Sequence, residues 1–184
     1  MNGEAPLALR PARLADADAL AALVNSAYRG DSGRVGWTTE SDLLGGQRTD
    51  PPALREFIAQ GETTGDRVLL VHEAARIDAC VQLERHGDEA YLGMFTVRPV
   101  LQGGGLGRRL LAGAEQHARH RWRVTAMHMT VIAQRAELIA WYGRRGYRAT
   151  GETAPFPYGD ARFGEPLRPD LHFVVLRKAL AASG

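Results

Sequence analysis

Residues 91–111 place an apolar run, a glycine-rich segment and a helical pattern directly one after another. The apolar run at 91–97 predicts a buried strand, which must end by Pro99 because proline cannot donate a hydrogen bond to a β-ladder. Glycines follow at 103–105 and 107, where the helical pattern begins. Free N–H groups at a helix N-terminus attract anions, and glycine lets the backbone approach the ligand closely. The segment therefore predicts an anion site between a strand and a helix.

The spacing of the glycines limits which anion this loop can bind. A P-loop would close with Lys and Ser or Thr, whereas residues 106–108 read Leu-Gly-Arg, which disfavours nucleotide hydrolysis. A dinucleotide fingerprint would need a last glycine at Arg108 or Leu110. The pattern that fits is Q/R-x-x-G-x-G/A, filled by Gln102, Gly105 and Gly107. A glycine-rich turn without a ligand is the alternative.

Length and composition predict one domain over residues 1–184, with 45% hydrophobic and 24% charged residues. The net charge is only +2 and the arginines are scattered, so nucleic acid is not expected as the main partner. Cys80 is the only cysteine, which favours a reducing cytoplasm. No signal peptide and no long apolar run is evident, so no membrane association is expected. The histidines show no metal-site spacing, and no metal is expected.

The hydrophobic periodicity predicts a mixed α/β chain of about seven strands and four helices. Strands are predicted at 7–10, 68–73, 77–85, 89–97, 124–132, 147–152 and 171–178. One helix is predicted to begin after Asp16, which would cap it. Further helices are predicted at 54–60, 106–121 and 137–145. The proline-rich stretch at 154–170 is predicted to be a long ordered loop.

A second signature follows the glycine loop at residues 137–147, where a helix bears Tyr142 and ends at Gly146, followed by Tyr147. This resembles the L-Y-x-x-x-G-F/Y signature of the GNAT superfamily of N-acetyltransferases. The Q/R-x-x-G-x-G/A pattern resembles the acetyl-CoA pyrophosphate loop of that superfamily. The two signatures are separated by one helix and one strand, as in that superfamily, and the element order agrees along nearly the whole chain.

The resemblance implies an α/β (α+β) GNAT fold with a central mixed, mostly antiparallel seven-stranded sheet. Two parallel strands, 89–97 and 124–132, would splay apart in this sheet, with about four helices flanking it. Pantetheine would lie in the gap and pair with the backbone of Phe95, Thr96 and Val97. The pyrophosphate would take N–H groups from the loop, with Arg108 adding charge. The loop residues implied in this way are Gln102, Gly103, Gly104, Gly105, Leu106 and Gly107. Arg135 stands where many relatives carry an Asn that contacts the coenzyme.

The resemblance also implies that Tyr142 protonates the departing thiolate, since a phenol donates a proton without carrying charge. The residue that acts as the general base is left open. A lysine-like amine has a pKa of about 10.4, so presenting it neutral at pH 7 costs about 4–5 kcal/mol. Some relatives place a Glu at the position that Tyr91 holds here. Glu89 lies two residues earlier on the same strand face and is the candidate base. The alternatives are Tyr91 itself, Glu84 or a water relay along backbone carbonyls.

Acceptor recognition is expected from the loop after the first helix and from the loop before the last strand. The expected substrate-binding residues are Trp37, Glu40, Tyr91, Phe156 and Tyr158. Aromatic rings beside carboxylates would suit a cationic amine. The predicted function is transfer of an acetyl group from acetyl-CoA to a primary amine, of a small molecule or a peptide, by direct attack in a ternary complex. The alternative is a non-catalytic acyl-CoA-binding module, and a homodimer is possible.

Overall fold

The computed structural model describes residues 5–29 and 40–181. Its strands are β1 (Arg10–Pro11), β2 (Leu44–Gly45), β3 (Arg67–Glu73), β4 (Ile77–His86), β5 (Glu89–Val97), β6 (Ala126–Ile132), β7 (Arg148–Pro155), β8 (Glu165–Pro166) and β9 (His172–Ala179). Its α-helices are α1 (Ala17–Tyr28), α2 (Pro51–Thr64), α3 (Leu106–Trp122) and α4 (Ala136–Gly143). Within these residues, no helix has the length and apolar character needed to cross a membrane.

Seven strands form one sheet in the order β1-β3-β4-β5-β6-β9-β7, and β2 pairs with β8 separately. Every pair in the large sheet is antiparallel except β5 with β6. The predicted mixed, mostly antiparallel seven-stranded sheet with four flanking helices is confirmed.

The parallel pair β5–β6 is in register over three residue pairs only, the last being Tyr91 with His128. Beyond that point β5 continues along β4, while β6 stays paired with β9 to its end at Ile132. Each strand therefore follows a different neighbour, and a gap opens between them. This gap is the predicted splay.

A β-bulge interrupts β5 beside this gap. Cys80 pairs with Thr96 and Gln82 pairs with Gly93. The single β4 residue between Cys80 and Gln82 therefore lies opposite two residues of β5, Met94 and Phe95. Met94 has a positive φ of 45°. Bulges bend a strand and redirect its backbone groups. Here the bulge turns β5 away from β6.

Two core clusters cover opposite faces of the sheet. Leu110 and Ala114 of α3 belong to the cluster with Leu70, whereas Leu20 and Val24 of α1 pack with Leu69 on the other face. Successive strand residues point to opposite faces, which explains why neighbours such as Leu69 and Leu70 join different clusters. The apolar residues of α1, which recur with helical spacing, are buried.

Local predictions failed at three places. Helix α1 does follow Asp16, but the Asp16 carboxylate accepts from Arg13 N and pairs with Arg10 instead of capping the helix. The helix predicted at 54–60 spans Pro51–Thr64, because the prolines at 51–52 fit its first turn, where a missing N–H costs nothing. The loop at 154–170 is not free of elements, since β8 lies in it and pairs with β2.

Candidate active site

The gap between β5 and β6 leads into a cavity of about 310 Å³. Its walls come from α1, β5, β6, the start of α4 and the loop that precedes β9. Three tyrosines, Tyr28, Tyr91 and Tyr142, share this cavity with apolar side chains and several arginines. A volume near 300 Å³ lies at the lower end of the range for small-molecule sites.

A second cavity of about 360 Å³ lies against the glycine loop. Gly103 and Gly105 have φ values of 89° and 83°, a conformation that favours glycine, and Gly105 is the residue before α3. The backbone N–H of Arg109 bonds to Gly105 O, so the preceding N–H groups of the first turn lack an intrahelical acceptor. The Gln102 side chain donates to Val97 O at 2.9 Å and ties the loop to the end of β5.

Positive charge surrounds the second cavity. Arg108, Arg144 and Arg145 line it together with one acid, Glu137. Burial lowers the pKa of Arg145, and the neighbouring charges of Arg144 and Arg108 lower it further. The Arg145 guanidinium lies 3.6 Å from the Trp141 ring centre, and its buried Nε has no hydrogen-bond acceptor. Crowded guanidiniums beside free N–H groups are suited to a polyphosphate.

Tyr142 lies on α4 and lines the first cavity, and the preceding residue, Trp141, lines the second. The helix ends in a Schellman motif, in which Tyr147 N bonds to Tyr142 O and Gly146 N bonds to Gly143 O, with Gly146 at φ 96°. The Tyr142 ring is held among Phe95, Trp141 and Tyr147 at centroid distances of 5.0–6.1 Å. Burial raises the pKa of Tyr142, which keeps its hydroxyl protonated as a hydrogen-bond donor.

Tyr28 fixes the bulge from the opposite side. Its hydroxyl donates to Phe95 O at 2.5 Å, and burial raises the pKa of Tyr28 to about 12. Two backbone carbonyls of the strand predicted to pair with the coenzyme therefore already accept hydrogen bonds. Val97 O accepts from the Gln102 side chain, and Phe95 O accepts from the Tyr28 hydroxyl. Each carbonyl oxygen retains a second lone pair for a ligand. The third residue, Thr96, is fully buried and donates its hydroxyl to Met94 O.

Arg135 belongs to a buried ion-pair cluster. Its guanidinium bonds to the Glu40 carboxylate at 3.1 Å and lines the first cavity, whereas the residues around the glycine loop do not include it. Glu40 also accepts from Arg29 at 2.6 Å, and all three side chains are at most about a tenth exposed. Contact of Arg135 with the coenzyme stays a prediction.

The candidate base Glu89 does not reach the cavity. It lies at the closed end of the gap, where Oε1 accepts from Arg177 at 2.7 and 2.9 Å. His128 Nδ1 lies 3.2 Å from the other oxygen, but not in hydrogen-bond alignment. The bonds from Arg177 lower the pKa of Glu89 and so weaken it as a base. The prediction that Glu89 acts on the amine is not supported by this geometry.

Tyr91 does line the cavity, and its hydroxyl lies 3.4 Å from the Thr130 hydroxyl, which lines it too. The Tyr91 ring stacks on His86 and meets His128 at a centroid distance of 5.7 Å. Burial lowers the pKa of His128, which leaves it neutral near pH 7. Glu84, the other alternative, is the cross-strand partner of Tyr91 but accepts from Gln82 and lies outside the cavity lining.

Three of the five expected acceptor-binding residues line the cavity, namely Glu40, Tyr91 and Phe156. Tyr158 does not line it, because its hydroxyl donates to Arg168 O and accepts from Leu171 N and so pins its own loop. Trp37 lies outside the described residues. The sequence analysis missed Tyr28, Arg29 and Arg48, which carry no motif and come together only in the fold.

Comparisons with known proteins agree with this geometry. Residues 43–156 match the family model described as an acetyltransferase (GNAT) domain. No curated protein sequence matches the chain significantly.

Several solved structures share the fold. A ribosomal-protein-alanine N-acetyltransferase from Brucella melitensis superposes with a TM-score of 0.70 at 23% identity, covering 95% of this chain and 100% of that one. A putative acetyltransferase from Salmonella typhimurium, solved with its cofactor acetyl-CoA, gives 0.66 at 21% identity over 98% and 97% of the two chains. An N-acetyltransferase from Thermoplasma acidophilum in complex with coenzyme A superposes with a TM-score of 0.65 at 14% identity, covering 94% of this chain and 98% of that one.

Proposed function

The chain belongs to the GNAT family of acetyltransferases, and from this premise we propose that it transfers the acetyl group of acetyl-CoA to a primary amine. The observation that carries the proposal is the position of Tyr142. It lines the first cavity, at the gap between β5 and β6, while its neighbour Trp141 on α4 lines the positively charged glycine-loop cavity. A donor and an acceptor bound on either side would meet at the Tyr142 hydroxyl. We propose that residues 1–184 act as a single catalytic domain.

The residues around the glycine loop fit the coenzyme. Three features favour a pyrophosphate: the N–H groups without an intrahelical acceptor at the start of α3, the φ values of Gly103 and Gly105, and the unsatisfied Nε of Arg145. We assign the pyrophosphate to Gln102, Gly103, Gly104, Gly105, Leu106, Gly107 and Arg108. The splayed edge of β5 offers Phe95, Thr96 and Val97 to the amide groups of pantetheine, as a partner strand would.

The chain contributes position and a proton donor to the transfer. A neutral amine held in the first cavity attacks the thioester carbonyl carbon, the C–N bond forms and the C–S bond breaks. Tyr142 donates a hydrogen bond, and then its proton, to the leaving sulfur. We propose direct attack because Cys80, the only cysteine, is fully buried on β4 and burial raises the pKa of its thiol to about 12. Such a thiol is a poor nucleophile.

The proton released by the amine has a polar route along the sheet. Tyr91 and Thr130 place two hydroxyls at the cavity wall, and neutral His128 lies beside the Tyr91 ring. We propose that a water held by the two hydroxyls accepts the proton, in place of the carboxylate that Glu89 does not supply.

Replacing Tyr142 by Phe tests the proposal. The ring contacts remain, so coenzyme binding should be unchanged while kcat falls by about 10²–10⁴-fold, the usual contribution of a positioned acid. The measurements are coenzyme titration and a thioester-consumption assay over amines, amino acids and peptides. Tyr147→Phe is the matched control, because it deletes the same atom from the same aromatic cluster but only breaks a bond to Glu115.

Two results would count against the proposal. Wild-type turnover in Tyr142→Phe would remove Tyr142 from the chemistry. A protein that binds acetyl-CoA but neither hydrolyses it slowly nor acetylates any amine would be an acyl-CoA-binding module. The homodimer and the cytoplasmic location stay predictions, the latter supported by the single cysteine.

A further inference from the structure

The first cavity is lined by arginines rather than by acids. Arg29, Arg48, Arg135 and Arg162 line it, and Glu40 is the only carboxylate that residues 5–29 and 40–181 contribute to its wall. Arg162 is largely exposed and chelated by Asp160, so its charge is already matched. The other three arginines converge on one wall. Arg29 directly follows α1, Arg48 follows β2, and Arg135 directly precedes α4.

Glu40 cannot serve as the counter-ion of a cationic acceptor. Its two oxygens are bonded to Arg29 Nη1 at 2.6 Å and to Arg135 Nη1 at 3.1 Å, and the pairs are nearly buried. An ammonium group would have to displace a guanidinium, which leaves a buried charge without a partner. The expectation that carboxylates in this region select a cationic amine is therefore reversed by the structure.

Arg48 supplies positive charge that no carboxylate of the described residues balances. Its guanidinium lies 5.6 Å from the centre of the Tyr28 ring, and its side chain is half-buried at the cavity wall. Arg29 adds a buried Nε with no hydrogen-bond acceptor, although the residue is only 6% exposed. A buried donor without an acceptor is costly, and native proteins rarely keep one unless a ligand or water satisfies it.

We infer that the acceptor is a small primary amine that carries a carboxylate, such as an α-amino acid. Arg48, with Arg29 beside it, binds the carboxylate, and the amine points to the bulge at Phe95 and to Tyr142. The volume of about 310 Å³ accommodates a single small molecule rather than a folded protein surface. Apolar wall residues Leu44, Phe156 and Phe173 leave room for an uncharged side chain. The inference rests on the proposed acetyl transfer.

The same charges help to prepare the nucleophile. A neighbouring positive charge disfavours the ammonium form of an amine and lowers its pKa. An arginine-lined wall thus favours the neutral amine in a cavity whose one described carboxylate, Glu40, is already paired with two arginines. On becoming an amide the ammonium loses two protons: one is released to solvent, and the other replaces the proton that Tyr142 gives to the thiolate.

The test compares acceptors that differ only by the carboxylate, for example leucine with 3-methylbutylamine and phenylalanine with 2-phenylethylamine. In the wild-type enzyme kcat/KM should be about 10–150-fold higher for the amino acid of each pair, as expected for hydrogen bonds to a charged group. Arg48→Gln should bring this ratio near one by lowering kcat/KM for the amino acid alone. Arg48→Lys should keep part of the preference. Arg55→Gln, an exposed arginine on α2 paired with Asp18, is the matched control and should keep the full ratio.

The outcomes separate this inference from the proposed function. Acetylation of both members of each pair with equal kcat/KM overturns the carboxylate assignment and leaves the acetyltransferase standing. Failure to acetylate any amine, with acetyl-CoA still bound, overturns the proposed function itself. Binding of N-acetyl-leucine, measured by thermal shift, provides a readout independent of turnover. It should weaken in Arg48→Gln and not in Arg55→Gln, and equal weakening in both would refute the role of Arg48.

Discussion

The hydrogen bond from Tyr28 to the bulge of β5 should be required both for stability and for coenzyme binding. In the β4–β5 register Phe95 has no partner of its own, and the Tyr28 hydroxyl bonds its carbonyl at 2.5 Å. Both residues are at least nine-tenths buried. Tyr28→Phe removes the donor, keeps the ring and leaves a buried carbonyl that water reaches poorly.

A buried polar group that loses its partner costs about 1–3 kcal/mol. For a domain of 150–250 residues each kcal/mol lowers Tm by about 2–4 °C, so Tyr28→Phe should melt about 2–12 °C below the wild type. Coenzyme affinity should fall as well, because the bulge orients the free edge of β5. Thermal unfolding and coenzyme titration measure the two effects.

Tyr91→Phe is the matched stability control. It deletes the same atom, but the Tyr91 hydroxyl has only a 3.4 Å contact with Thr130 at the cavity wall. Its unfolding free energy should change by less than about 0.5 kcal/mol, as for most substitutions at open positions. Equal Tm shifts in the two variants, or an unchanged Tm in Tyr28→Phe, would refute the argument that this hydroxyl replaces a ladder partner.

Two further predictions concern the ion pairs. Glu40→Gln leaves the buried guanidiniums of Arg29 and Arg135 without their carboxylate. Urea unfolding should therefore show a free energy of unfolding lower by about 3–5 kcal/mol. An unchanged urea midpoint would mean that the pairs contribute nothing to stability. Glu89 has a lowered pKa in the folded state, so its carboxylate stabilises the fold above the ordinary glutamate pKa, and this stabilisation is lost as pH falls through the lowered value. Glu89→Gln should therefore lower the free energy of unfolding by at most about 1 kcal/mol at pH 7, through loss of its pair with Arg177, and should have no effect on it at low pH. The same variant should leave kcat/KM unchanged between pH 6 and 9. A changed pH profile of kcat/KM would restore Glu89 as the base.

The segments with strong local patterns could be predicted because their conformation depends on their own residues. Strand β5 has the predicted bounds, and the glycine loop has positive φ at Gly103 and Gly105. The turn at Gly146 closes α4 as expected, because only a left-handed residue completes its hydrogen bonds. Asp16 was misjudged for a tertiary reason, since the neighbouring Arg10 and Arg13 occupy its carboxylate.

By itself, the sequence determined the order of strands and helices, the glycine loop and the family resemblance, because each is encoded in residues close together along the chain. Only the tertiary structure decided which charges meet at the acceptor cavity. Glu40 is joined to Arg135 across 95 residues, and Arg48 reaches the cavity over a tyrosine of α1. Such contacts depend on how the elements pack, and burial then decides which charge has a partner. Glu40, expected to attract a cation, is already paired with two arginines, whereas Arg48 faces no carboxylate among residues 5–29 and 40–181.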